Sequence, residues 1–373
     1  MNNHQLGQQE RAVLAAIAAN PFISQSEIAA ALGLARSTVA AHIVSLGNKG
    51  YILGRGYVLP DAKRILCLGG AVVDRKYHAA RAVMLETSNP VSSQRSFGGV
   101  ARNVCENLTR LGVSTGLASI VGDDDAGRAL VSHMRNLGCD TTAVVAQQDG
   151  STAEYVAVVA PDSSLVVGLA DMGIFDNLTG AFLDGVWSSL ASSSWVFADC
   201  NATAELLEQL VTRKRSARFR LAIDAVSAPK VHRLPADLSG LDLLFLNMDE
   251  AAEYLADTSL APEAAAVALR ARGPESVVIT RGSKGALIAT ADGVRHCPSI
   301  ETHPVDVTGA GDALIAGTLY SLLSGEDLFE AVRTGCLLAA RTTESHLSVH
   351  HELSPDFLER SRSRLASGAD HAP

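Results

Sequence analysis

The sequence predicts an α/β protein, a largely parallel sheet flanked by helices, preceded by a small helical module. Short apolar runs at Ile65–Gly70, Trp195–Ala198, Arg220–Ile223, Leu243–Leu246 and Val277–Ile279 alternate with helical stretches from Arg64 onward. Residues 1–62 instead read as helices closed by a hairpin. With 373 residues, 47% hydrophobic and only 5% aromatic, the chain is long enough for more than one domain and for a substantial core.

Within 8–19, Val13, Leu14, Ile17 and Ala18 recur at helical spacing, and Asn20-Pro21 stops the helix. Ser24-Gln25-Ser26-Glu27 starts a second helix carrying Ile28, Ala29 and Leu32, and Gly33 permits a sharp turn into a third, Ala35 to Leu46. Lys49–Ile52 and Arg55–Leu59 read as two short strands around Gly54. This pattern resembles a winged helix-turn-helix. The resemblance implies that Arg36, Ser37, Thr38 and His42 face the DNA major groove and that Arg55 lies on the wing. A helical packing or dimerisation module is the alternative.

Farther along, Tyr155–Ala160 and Leu165–Leu169 flank Pro161-Asp162-Ser163-Ser164 and predict a β-hairpin that interrupts the α/β alternation. Such an insert suits a lid over a site, or an edge or dimer contact. From Ser361 to Pro373 the apolar periodicity fades, and this end is expected to fray. The domains expected are therefore 1–62, 63–353 and a C-terminal helix and tail over 354–373.

Net charge is −9, yet residues 1–62 hold four basic residues and three acids. An acidic body argues against general nucleic-acid binding while leaving room for a near-neutral module that touches DNA at a few points. No uncharged apolar run approaches the roughly 20 residues of a membrane span. Met1–Gln5 lacks the basic and apolar regions of a signal peptide, so a cytoplasmic location is expected. The six cysteines form no CxxC pair and read as reduced core thiols.

The stretch most informative about chemistry is His303-Pro304-Val305-Asp306-Val307-Thr308-Gly309-Ala310-Gly311-Asp312, which opens an apolar helix. Small residues at Gly309, Ala310 and Gly311 let backbone N–H groups converge at a helix N-terminus, a site suited to phosphate. A carboxylate at Asp312 is then placed to take a proton from an attacking hydroxyl. The alternative is a glycine turn whose acid merely stabilises the helix dipole.

Further motifs follow in order: Gly69-Gly70-Ala71-Val72-Val73-Asp74, Gly98-Gly99-Val100-Ala101-Arg102-Asn103, Asn247-Met248-Asp249-Glu250 and Thr280-Arg281-Gly282-Ser283-Lys284-Gly285, before the turn at Asp306 to Asp312. With these the chain resembles the ribokinase-like (PfkB) family of sugar and nucleoside kinases over roughly residues 64–350. Within it, Ser88-Asn89-Pro90, Leu169-Ala170-Asp171-Met172, Ala198-Asp199-Cys200-Asn201 and Asp224-Ala225-Val226-Ser227 are similar to stretches of pseudouridine kinases, a subgroup of which carries an N-terminal helix-turn-helix.

The resemblance implies a three-layer ribokinase-like fold with a β lid, and an ATP-dependent kinase acting on the 5′-hydroxyl of a ribonucleoside, pseudouridine above others. It makes Asp312 the base and Gly309-Ala310-Gly311 the anion hole. Asp74, Gly98, Gly99, Asn103 and Asp171 become substrate contacts. Asn247, Glu250, Thr280, Gly282 and Gly285 become the ATP site, with Glu250 ordering Mg2+, and Asp306 and Thr308 a potassium site. A homodimer is expected. Val72 departs from the asparagine usual in the family, and Ala101 from glycine. Another nucleoside or a free sugar therefore stays open. Separately, given the N-terminal module, so does a nucleoside-sensing DNA-binding regulator, which decay of Asp312 or the glycine turn would favour, though both are intact.

Overall fold

The structure, a computed structural model, describes residues 6–53, 63–162 and 164–366. Three helices come first: α1 (Gln8–Ala19), α2 (Gln25–Leu32) and α3 (Arg36–Asn48). Ser24 and Glu27 form the capping box that starts α2, and Gly33 ends it in the left-handed region. Val13, Ile17, Ile28, Val39 and Leu46 meet in a separate small core. Glu10 locks α1 to α3, accepting from Lys49 Nζ at 2.7 Å and Ser45 Oγ at 2.6 Å. Burial pushes its carboxyl up, but these donors outweigh that and bring it down to about 2.

The expected strand at Lys49–Ile52 is not formed. Tyr51 N–H turns back to the Leu46 carbonyl, and Gly50 takes a left-handed conformation, so these residues end α3 as a turn. The second expected strand and Arg55 lie outside the described residues.

The large domain begins with β1 (Arg64–Leu68), β2 (Val72–Ala79), β3 (Val91–Gly98), α4 (Val100–Arg110), β4 (Ser114–Gly122), α5 (Asp125–Asn136) and β5 (Asp140–Gln147). The expected hairpin follows as β6 (Glu154–Val159) and β7 (Leu165–Asp171). Next come α6 (Gly180–Ala191), β8 (Trp195–Asp199), α7 (Ala204–Lys214), β9 (Arg220–Asp224), β10 (Leu243–Asn247), α8 (Met248–Leu255) and α9 (Pro262–Arg270). The chain closes with β11 (Ser276–Thr280), β12 (Ala286–Thr290), β13 (Gly293–Cys297), α10 (Ala310–Leu323), α11 (Leu328–Thr343) and α12 (Pro355–Ala366).

Among the described residues these strands make two sheets. The nine-stranded one has the order β13-β12-β11-β10-β9-β8-β1-β4-β5 and is parallel except where β12 joins β11 and β13. Helices α6 to α9 cover one face and α4, α5, α10 and α11 the other, giving two apolar cores and three layers. The second sheet, β3-β2-β6-β7, is the lid. Sequence patterning pointed to only half of it, because β2 and β3 are mostly polar and lack an apolar face.

The fraying expected from Ser361 to Pro373 does not begin at Ser361, for α12 continues to Ala366; residues 367–373 lie outside the described residues. Arg362 holds the helix to the body by donating to Ser321, Glu326 and Thr334. Among the described residues no single helix is long and apolar enough to cross a membrane.

The three-helix module rests on the edge where β8 and β9 begin. Arg218 joins the two parts, donating from Nη2 to the Ser192 carbonyl at 2.6 Å and from Nε to the Gly50 carbonyl at 3.2 Å. Its guanidinium also lies over the Tyr51 ring. Arg218→Ala should therefore lower the melting temperature of the module while leaving that of the large domain in place. Calorimetry that resolves the two transitions checks this, and an unmoved module transition would show that the contact adds nothing.

Candidate active site

In an open α/β sheet the functional crevice lies beyond the carboxyl ends of the strands. Here those ends carry a row of polar residues: Asp199 ends β8, Asp224 ends β9, Asn247 ends β10 and Thr280 ends β11. Asp199 is wholly buried and collects three backbone donors, from Gly70 at 3.0 Å, Ala101 at 2.8 Å and Asn201 at 2.8 Å. Burial pushes its carboxyl up and the amides pull it back. One side chain thus ties the turn after β1, the start of α4 and the end of β8 together.

That tie aims α4. Asn103 Nδ2 donates to Asp312 Oδ2 at 2.6 Å, and Arg102 spans the same ground, donating to Glu106, Asn103 and the carbonyls of Phe97 and Gly98. Asp312 stands in the first turn of α10, which Gly309 opens with φ at 81°. A side chain at 309 would also strike the Ser348 carbonyl, at 2.1 Å from its Cβ. Burial raises the Asp312 carboxyl to about 6 against the pull of the Asn103 bond and the Arg102 charge, with Asp199 and Asp74 adding to the rise. It is a carboxylate at neutral pH, and basic enough to accept a proton.

Asp74 projects from lid strand β2 opposite Ser96 of β3 and Tyr155 of β6. Burial raises it too to about 6, held back by Arg102 and Lys76. Gly98 is there because the Asp74 carboxylate fills the space its side chain would take, with Oδ2 2.1 Å from where Cβ would stand. Gly99 caps α4, and its carbonyl accepts the Asn103 N–H. The structure thus gathers Asp74, Gly98, Gly99, Asn103, Gly309, Ala310, Gly311 and Asp312 around α4 and α10. Asp171 is not brought onto the Asp74 face. It pairs with Glu154, which pairs with Val73, and side chains alternate along a strand. Val72 is buried in the core and presents no polar group.

Beside the turn lies a cleft of about 280 Å³, lined by Thr280, Gly282, Gly285, Val307, Gly311 and Ala340 among others. Its size and its largely apolar walls suit a purine ring next to the anion hole. Asn247 and Glu250 form a capping box at α8: Glu250 Oε2 accepts the Asn247 N–H and Oε1 the Asn247 amide, both at 2.8 Å. Both carboxylate oxygens are therefore engaged. Burial raises Asp224 well above the ordinary carboxylate range, and Glu250 and Asp312 raise it further. Carboxylates crowded in this way fit a divalent cation that keeps its own waters, as magnesium does. No side-chain cage of three or more His, Cys, Asp or Glu exists among the described residues.

The expected potassium site does not fit. Asp306 Oδ1 accepts the Thr308 N–H at 2.9 Å and hydroxyl at 2.6 Å, and Oδ2 takes the Lys76 ammonium at 2.7 Å. Burial pushes Asp306 up, but Lys76 and Thr308 outweigh it and hold the carboxyl below its ordinary range. A second positive charge about 4 Å from that ammonium meets a repulsion of about 4 kcal/mol at an effective dielectric of about 20.

In the N-terminal module Arg36 and Ser37 are exposed at the start of α3, and Thr38 and His42 are half-buried. His42 Nε2 lies 3.2 Å from Gln9 Oε1 of α1.

The sequence motifs alone assign no role to Arg102 or Asp199. Arg102 and Glu106 are four apart with opposite charges, which reads as a solvated pair on a helix surface. The lid and α10 cover that surface, so the pair is buried. For Asp199 the available signal was an acid closing an otherwise apolar strand.

The model of the pfkB family carbohydrate kinases matches residues 62–352, and a winged helix-turn-helix DNA-binding model matches residues 6–52. The chain is 32% identical to an uncharacterised sugar kinase, YeiI, of Escherichia coli K12, covering 95% of this chain and 98% of that protein. It is 27% identical to the pseudouridine kinase of the same organism, covering 75% and 91%. A solved carbohydrate kinase from Agrobacterium tumefaciens matches with a TM-score of 0.72 at 30% identity, covering 81% of this chain and 97% of that one.

Asp199→Ala strands three buried amide donors, each worth about 1–3 kcal/mol when unpaired. Urea unfolding should show a loss of at least about 3 kcal/mol on that scale. An unchanged midpoint would mean that the amides find other partners.

Proposed function

The chain belongs to the pfkB family of carbohydrate kinases, and from that premise we propose that it transfers the terminal phosphoryl group of ATP to the 5′-hydroxyl of a ribonucleoside, pseudouridine foremost. The observation that carries the chemistry is the Asn103–Asp312 contact, which orients a carboxylate with a pKa near 6 at the amide-rich start of α10. Asp312 accepts the proton of the attacking hydroxyl. The first-turn amides of α10 and the dipole behind them take up charge on the phosphoryl group in flight. Magnesium, carried by the phosphates and by waters ordered at Asp224 and Glu250, would neutralise the remaining phosphate charge.

Asp74 accepts hydrogen bonds from ribose hydroxyls, and Gly98 leaves the room that the Asp74 carboxylate occupies. The adenine ring takes the cleft beside Thr280 and Gly285. For the nucleoside, the support is the relative named a pseudouridine kinase, together with the sequence stretches that resemble that subgroup. Val72 favours a second reading, another nucleoside or a free sugar, because an apolar side chain supplies no hydrogen bond beside the sugar. The N-terminal module binds DNA in this proposal, with Arg36, Ser37, Thr38 and His42 at the groove, and near-neutral charge requires a dimer on two half-sites. A homodimer through the exposed lid or the module meets that need.

ADP release across a panel of nucleosides and sugars tests the substrate. Pseudouridine should give the highest kcat/KM, and a faster sugar would move the enzyme to the second reading. Asp312→Asn should cut kcat by about 10²–10⁴-fold, the usual size of general-base loss, and near-parental turnover would remove Asp312 from the mechanism. Asp74→Ala should weaken nucleoside binding far more than ATP binding, by an unpaired contact of about 1–3 kcal/mol. Equal weakening in calorimetric titrations would make Asp74 structural. Selection from random DNA, with and without nucleoside, should enrich a palindrome, and no enrichment in either arm would reduce the module to packing.

A further inference from the structure

Lys76 lies two residues beyond Asp74 on β2 and therefore on the same face of the lid. Its ammonium reaches the Asp306 carboxylate at 2.7 Å, bridging the lid to the loop that leads into the anion hole. Both side chains are largely covered, at 33% and 21% exposure. The loop is fixed from the other side as well, since the Val305 and Asp306 N–H groups donate to the Thr343 carbonyl at the end of α11, at 2.7 and 3.2 Å. Both Asp306 carboxylate oxygens are therefore engaged by donors of the chain, and the positive charge beside them belongs to the chain.

We propose that the Lys76 ammonium occupies the monovalent-cation position beside the anion hole, so that this kinase needs no potassium, and that Lys76 is a positioning residue coupling lid strand β2 to the Gly309–Gly311 turn. The proposal rests on the kinase reading above for its activity assay but not for its binding assay. A covalently held cation has two consequences. It fixes the Asp306–Thr308 loop without an ion being recruited from solution, and it ties the charge to the strand that carries Asp74. Substrate seated against Asp74 then presses the same strand that orders the turn.

The test exchanges potassium chloride for choline chloride at a constant ionic strength of about 0.1 M, which holds screening fixed. The parent protein should show the same melting temperature in both salts, with and without ATP, and turnover should differ less than about twofold, well below one charge-assisted contact. Lys76→Met should lose about 10- to 100-fold in kcat in choline, the scale of such a contact. In potassium it should recover much of that loss and melt higher. Lys76→Arg, which keeps the charge, should stay indifferent to the salt.

Parental melting or turnover that rises with potassium overturns the proposal. So does a folded Lys76→Met that stays inactive in both salts, since Lys76 would then act on the phosphate directly, or one as active as the parent in choline. The melting comparison reads cation binding even if no substrate in the panel is turned over, so failure of the substrate assignment and failure of this inference are separable.

Discussion

A buried carboxylate without a cation partner in contact among the described residues organises the large domain. Asp199 accepts from the amides of Gly70, Ala101 and Asn201, so the turn after β1, the first turn of α4 and the loop after β8 share one anchor. Three amides compensate most of the desolvation of a buried carboxylate, which explains how an acid is tolerated at the end of a fully apolar strand. The direction of α4 follows from this anchor. From α4 come Arg102 and Asn103, and from Asn103 the orientation of Asp312.

The second constraint is charge balance. Asp74, Asp199, Asp224, Glu250 and Asp312 crowd the carboxyl edge of the sheet, and each is raised by burial. Arg102 and Lys76 answer only part of this. Burial, with a smaller push from Asp199 and Asp74, keeps Asp312 near 6 rather than near the usual value for an aspartate, where proton transfer from a hydroxyl is far less favourable. The remaining imbalance gives the site its demand for a divalent cation arriving with phosphate. The proposed chemistry depends on leaving these carboxylates imperfectly compensated.

Much of the fold was legible because it depends on periodicity. The central strands Trp195–Asp199, Leu243–Asn247 and Ser276–Thr280 are apolar runs, and Ser24 with Glu27 marks a helix start by local hydrogen bonding alone. The lid strands β2 and β3 were not legible, since strands that are mostly polar on both faces have no pattern to read. The turn at Lys49–Ile52 was mistaken for a strand because Gly50 and Tyr51 fit both. Asp312, Asp74 and the glycines around them were visible as spaced motifs. Arg102 was hidden because its burial depends on packing by α10, more than two hundred residues away in sequence, and the Lys76–Asp306 pair is equally non-local.

The central claim is that the Asn103 amide orients Asp312 and holds down the basicity that burial gives it. The pH dependence of kcat, in the parent and in Asn103→Ala, measures this directly. An amide donating to an ionised carboxylate lowers its pKa, so removing the donor must raise it. The account predicts an acid limb near pH 6 in the parent, moving to higher pH in the variant while the protein stays folded. A limb that does not move, or that moves to lower pH, would contradict it.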